Sequence, residues 1–153
     1  MGSLRWFGLV VVLAGCGPVE IPPRAPAELV GEWVDDYGIR YQVSDTLWLQ
    51  QPSVVYRVAR WEAGEQYLVA QNGAENPADG GLYTRIDWVE LEAAAPWDWA
   101  FCMATWDANS SAGAAVAPAS DREHPRTGCD GHPFSRMRRV TADSLALPGR
   151  GYR

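Results

Sequence analysis

Ile39-Arg40-Tyr41-Gln42-Val43-Ser44 decides the fold class: Ile39, Tyr41 and Val43 fall on one face, and Arg40, Gln42 and Ser44 on the other. That period of two is the signature of a strand with one face in a core and one in water. The same reading recurs on both sides, with strand-like runs at 29–34, 46–50, 54–61, 66–71, 82–91 and 99–106. Between them lie turn-forming residues at 36–38, 44–45, 51–53, 62–65 and 72–81. A final strand is expected within 133–140. Seven or eight strands joined by short connections predict a mainly β chain, an antiparallel meander closed as a small barrel or packed as a sandwich. One short helix is expected after the Cys102 strand, from 107 to about 117: Asp107 caps it, its interior is Ala-rich, and Pro118 stops it. A Pro/Asp/Gly-rich loop at 118–133 follows, and 142–153 reads as a loose tail.

The chain has 153 residues, 47% of them apolar and 21% charged, which suits one globular domain. All thirteen basic residues are Arg. Without lysine there is no Schiff base, no P-loop lysine and no Ser-x-x-Lys nucleophile. Nineteen acidic groups give a formal charge of −6, which argues against nucleic acid as a partner. The charge is also uneven: residues 16–98 carry five Arg and fourteen acids, and 99–153 carry seven Arg and five acids.

The first residues read as an export signal, with Arg5 before an apolar run from Trp6 to Ala14. Nine residues of helix span roughly 14 Å, about half of a bilayer's hydrocarbon core, so the run is too short to cross it. Leu13-Ala14-Gly15-Cys16 resembles the lipobox of bacterial lipoproteins. The resemblance implies cleavage before Cys16 and diacylglyceryl attachment to its sulfur, making the membrane a partner through a lipid anchor. Gly17 stands where the inner-membrane retention signal of such lipoproteins usually has Asp, so the expected location is the cell envelope at the outer membrane. The division expected is a signal peptide at 1–15, a lipidated Pro-rich tether at 16–27 and a β domain at 28–141. The tether reaches roughly 30 Å at ~3.1 Å per residue.

Lipidation of Cys16 leaves Cys102 and Cys129, and in an oxidising compartment a disulfide between them is expected. The alternative is a Cys2His2 zinc site with His124 and His132. Those histidines are also the only imidazoles for a Ser-His-Asp triad, with Ser135 three residues after His132, and no Gly-x-Ser-x-Gly elbow is present. Asp35-Asp36 and Asp87 with Glu90 are the carboxylate pairs open to acid/base chemistry, although Asp35-Asp36 reads better as a turn. No cofactor motif occurs and no cofactor is expected.

Eight tryptophans are the least ordinary feature. Trp48 is out of phase with Leu47 and Leu49, and Trp97-Asp98-Trp99 stands at a strand entrance. Trp48, Trp97 and Trp99, with Tyr83 and Arg85 nearby, are therefore the candidate binding platform, at least one of the three tryptophans being expected at the surface. Gly31-Glu32-Trp33 resembles the Gly-x-Trp signature of lipocalins and lipocalin-like lipoproteins. In that family the tryptophan plugs one end of an eight-stranded barrel under a late-strand arginine, a part open here to Arg136, Arg138 or Arg139. The tail, from Trp99 to Cys102 and from Gly128 to Gly131, is similar to uncharacterised envelope lipoproteins. The expected function is a non-enzymatic binding or interaction module for a glycan, lipid or protein. A hydrolase of envelope polymers and a purely structural lipoprotein are the alternatives.

Overall fold

A computed structural model describes residues 24–141; Cys16, the signal peptide expected at 1–15 and the tail expected at 142–153 lie outside the described residues. Eight antiparallel strands close into a barrel: β1 (Gly31–Asp35), β2 (Arg40–Val43), β3 (Leu47–Gln50), β4 (Val54–Glu62), β5 (Tyr67–Asn72), β6 (Tyr83–Glu90), β7 (Trp99–Ala108) and β8 (Ser135–Arg139). Each strand pairs with the next, and β8 returns to β1 through Trp33 opposite Arg139 and Asp35 opposite Met137. Closure removes the exposed edges that a sandwich would leave.

Register carries the core around the barrel. Trp33 faces Tyr41, Val43 faces Trp48 and Trp48 faces Tyr56, so each inward side chain meets another inward side chain. A register shift between Val58 and Arg60 changes the phase of β4 and brings Trp61 against Trp88, ring centroids 5.6 Å apart. Trp48 packs edge-on against Phe101 at 5.1 Å and Trp99 at 5.8 Å, and Trp33 meets Trp99 at 5.2 Å. Such edge-to-face pairs contribute about 0.5–1.5 kcal/mol each beyond their burial. The interior is filled with side chains, one of the two states open to an eight-stranded barrel.

The two ends differ. At the floor, the turn before β1 is closed by the Leu29 amide donating to Pro26 O, and the Trp33 indole donates to Leu29 O at 2.8 Å. The upper end carries the connections at 36–39, 51–53, 73–82 and the long crossover 109–134. The helix in that crossover is shorter than the sequence predicts. Asp107 and Ala108 continue β7, and α1 (Ser111–Ala115) is capped instead by Ser110, whose Oγ accepts the Gly113 amide at 3.0 Å.

The crossover lies on the outer faces of β6 and β7. The Cys102–Cys129 disulfide ties it down, with Cα atoms 5.6 Å apart. Phe134, Ala100 and Cys102 form a second small apolar cluster there, outside the barrel. The zinc alternative falls because both thiols are consumed in the disulfide.

Candidate functional site

The residues singled out in the sequence do not converge. Trp48 is fully buried and Trp99 is 2% exposed. Both belong to the barrel core rather than to a platform. The physical reason for Trp48 is register: opposite Val43 and Tyr56 it must face inward, which leaves Leu47 and Leu49 on the partly covered outer face. Trp97 is half-buried in the loop between β6 and β7 at the floor, with the Arg136 guanidinium 4.9 Å from its ring centroid. Tyr83 begins β6 at the upper end, so it stands at the opposite end of the barrel from Trp97.

Arg85 has a fastening role. It is buried on the outer face of β6, its Nε donating to Asp87 Oδ1 at 2.8 Å and its Nη1 donating to the carbonyls of Ala115 and Ala117. The guanidinium also lies 4.0 Å over the Tyr67 ring. Asp87 Oδ2 accepts the Ser120 amide at 2.6 Å, so one buried ion pair on β6 holds three points of the crossover. A carboxylate engaged in this way is a structural group, not a general base facing a substrate.

Asp35 and His124, also considered for catalysis, have equally concrete roles. Asp35 Oδ1 accepts the amides of Tyr37 and Ile39, and its Oδ2 accepts the Tyr41 hydroxyl at 3.0 Å, which builds the turn between β1 and β2. Burial first, and then the Asp35 charge, push the Tyr41 phenol far above its ordinary range, so it stays a neutral donor. His124 Nδ1 lies 2.8 Å from Asp121 Oδ2 on the exposed part of the crossover. Hydrogen bonding to Asp121, followed by its charge, raises the His124 pKa. The carboxyl of Asp121 is lowered by the reciprocal hydrogen bond. Both groups are solvated.

The upper end carries surface that has no such role. Two shallow concavities of about 310 and 280 Å³ adjoin there and share Gln50 and Met103. Tyr37, 70% exposed, stands at the edge of one, and Trp106, 54% exposed, stands at the edge of the other. Met103 is common floor, and the Tyr56 hydroxyl, in the smaller concavity, meets only its sulfur at 3.9 Å. Burial, and next the charge of Asp79, raise the Tyr56 phenol, which keeps its proton at neutral pH.

Trp106 reaches this rim because β6 and β7 slip twice against each other. Ile86 faces Met103, but Arg85 faces Thr105 and Tyr83 faces Ala108. Without those shifts, strict alternation from the inward Trp99, Phe101 and Met103 would send Trp106 to the outside with Ala100 and Cys102. This residue was missed as a site candidate in the sequence, because bulges leave no mark in a hydrophobic pattern.

Asn72 then fixes the rim. Its Nδ2 donates to Asp79 O at 2.9 Å and to Trp106 O at 2.8 Å, while its Oδ1 accepts the Thr84 hydroxyl at 2.6 Å. One buried amide therefore holds the backbone of the 73–82 loop against the end of β7. Asp79 sits in the left-handed region at φ 54°, and among the described residues its carboxylate and the Gln50 side-chain amide have no hydrogen-bond partner. Comparison with protein-family models, with curated proteins and with solved structures finds no match to this chain.

Proposed function

We propose that this protein is a lipid-anchored binding module of the cell envelope, held at the outer membrane through Cys16, that engages its ligand at the upper rim of a filled barrel. The observation that carries the reading is the pairing of a packed interior with two exposed aromatic residues, Tyr37 and Trp106, beside adjoining concavities. A packed interior leaves no space for an enclosed ligand, and an exposed indole gives up about 2 kcal/mol of burial that a partner can supply. The lipobox at Leu13 to Cys16 supports the address, and the stacking of Arg139 on Trp33 supports the lipocalin-like resemblance.

The test has two parts. Cys16→Ser is expected to move the protein out of the membrane fraction and abolish labelling by a fatty-acid probe; retained labelling contradicts the anchor. Tryptophan emission of the full chain, titrated with glycans, lipid vesicles and peptides, is expected to respond to one class, and that response is expected to vanish in Trp106→Ala. No response to any class, or a response that survives the substitution, contradicts the binding reading.

A further inference from the structure

We propose that the ligand of this rim is an uncharged saccharide, one ring stacked on Trp106 with its hydroxyls bound by Asp79, Gln50 and Tyr56. The inference rests on the binding reading above and names the ligand class for the same surface. Its first support is the kind of surface presented. Trp106, 54% exposed, lines the concavity, and the axial C–H groups of a pyranose ring form an apolar patch that an indole can stack on.

The second support is the set of polar groups around that face. A sugar hydroxyl both donates and accepts, so it suits a site with mixed chemistry. Here the Asp79 carboxylate accepts, the Tyr56 hydroxyl donates and the Gln50 amide does both. Tyr56 is 9% exposed and has only a weak sulfur contact, so its hydroxyl is a nearly buried polar group facing the concavity with its hydrogen bonding unspent. The Asn72 and Asn76 amides are already committed. Asn72 clamps the carbonyls of Asp79 and Trp106, and Asn76 exchanges two hydrogen bonds with the Val55 backbone. These amides act as positioning groups, fixing the indole and the carboxylate relative to each other before any ligand arrives.

Charge selects against the competing classes. No Arg or His lines either concavity, while Asp35 and Asp79 do, so fatty acids, phosphates and acidic glycans meet no counter-charge. Asp35 is spent on three donors, which leaves Asp79 as the single free carboxylate. The two exposed aromatics, Tyr37 and Trp106, stand at the edges of different concavities, so they do not close around one cation as the aromatic cage of a quaternary ammonium does.

Isothermal titration of the full chain, purified in mild detergent, with maltotriose and chitotriose distinguishes the possibilities, choline and phosphatidylglycerol vesicles being run in parallel. The expected result is binding of at least one of the two sugars with a dissociation constant of about 1 mM or tighter. Trp106→Ala is expected to weaken it at least tenfold, and Asp79→Asn and Tyr56→Phe severalfold, with circular dichroism unchanged. Sugar binding unaffected by Trp106→Ala and Asp79→Asn overturns the assignment to this rim. Binding of choline or vesicles alone, lost in Trp106→Ala, overturns the saccharide assignment while keeping the binding module. Binding of no probe overturns the saccharide assignment, and the binding module is then decided by the peptide arm of the emission titration.

Discussion

The guanidinium of Arg139 lies 4.3 Å from the ring centroid of Trp33, at the point where the last strand of the barrel meets the first. Its Nη1 and Nη2 donate to Val30 O and Glu28 O, so the same side chain stacks on the floor tryptophan and satisfies the carbonyls of the turn beneath it. Gly31 makes the approach possible. It adopts φ 139°, and a Cβ there would stand 2.5 Å from Arg139 Nη1.

Arg139→Ala is accordingly expected to destabilise the domain by about 2 kcal/mol, near the low end of the sum of an exposed cation–π contact and two solvent-exposed hydrogen bonds to carbonyls. Gly31→Ala is expected to cost at least as much, through backbone strain and displacement of the guanidinium. Urea unfolding followed by tryptophan emission measures both. A Gly31→Ala protein as stable as the wild type would contradict the close approach.

The disulfide closes a loop with a sequence separation of 27. In the chain-entropy view such a loop is worth about 3.6 kcal/mol, so Cys102→Ala with Cys129→Ala is expected to lower the urea midpoint substantially. The crossover is expected to become the first segment cut by protease. Equal protease resistance with and without the bond would show that the Phe134 cluster and the Arg85–Asp87 pair fasten it without the disulfide.

Asp87→Asn leaves the buried Arg85 charge without its counter-ion, and losses of about 3–5 kcal/mol are typical of such broken pairs. Faster hydrogen exchange is expected in α1 and at Ser120, whose amide loses the charged acceptor. A change confined to the floor of the barrel would contradict the fastening role.

The strands were legible because period-two alternation survives in short segments: Ile39, Tyr41 and Val43 mark β2, and turn residues separate the rest. Barrel and sandwich were not separable, since that choice is made by the long-range pairing of β8 with β1. Trp48 was misplaced because Leu47-Trp48-Leu49 is apolar on both faces, so alternation alone does not choose which face is inward. The pairing with Val43 and Tyr56 does. Arg85 was legible only as a charge near aromatics; its burial depends on a crossover thirty residues later in the chain. Trp106 depended on two register slips that composition does not encode.

The His124 and Asp121 pair makes the crossover weakly pH-sensitive. His124 is raised in the folded chain, so its contribution is fully present below the ordinary histidine value of 6.5 and is lost as pH rises through the raised value. Asp121 is lowered, so its contribution is present above the ordinary carboxylate range and lost as pH falls through the lowered value. Both groups being solvated, the effect is local. An imidazole titration followed by NMR is expected to give a higher midpoint for His124 in the wild type than in Asp121→Asn; identical midpoints would contradict the pairing.

The central claim is that ligand meets this barrel at its upper rim and not in its interior. Mapping chemical-shift changes across the assigned spectrum during titration with chitotriose or maltotriose tests it most directly. The account predicts changes at the Trp106 indole N–H, the Gln50 side-chain amide and the 73–82 loop, with Trp33, Trp48 and Trp99 unmoved. Changes centred on the indole signals of Trp33, Trp48 and Trp99, with Trp106 silent, would contradict it.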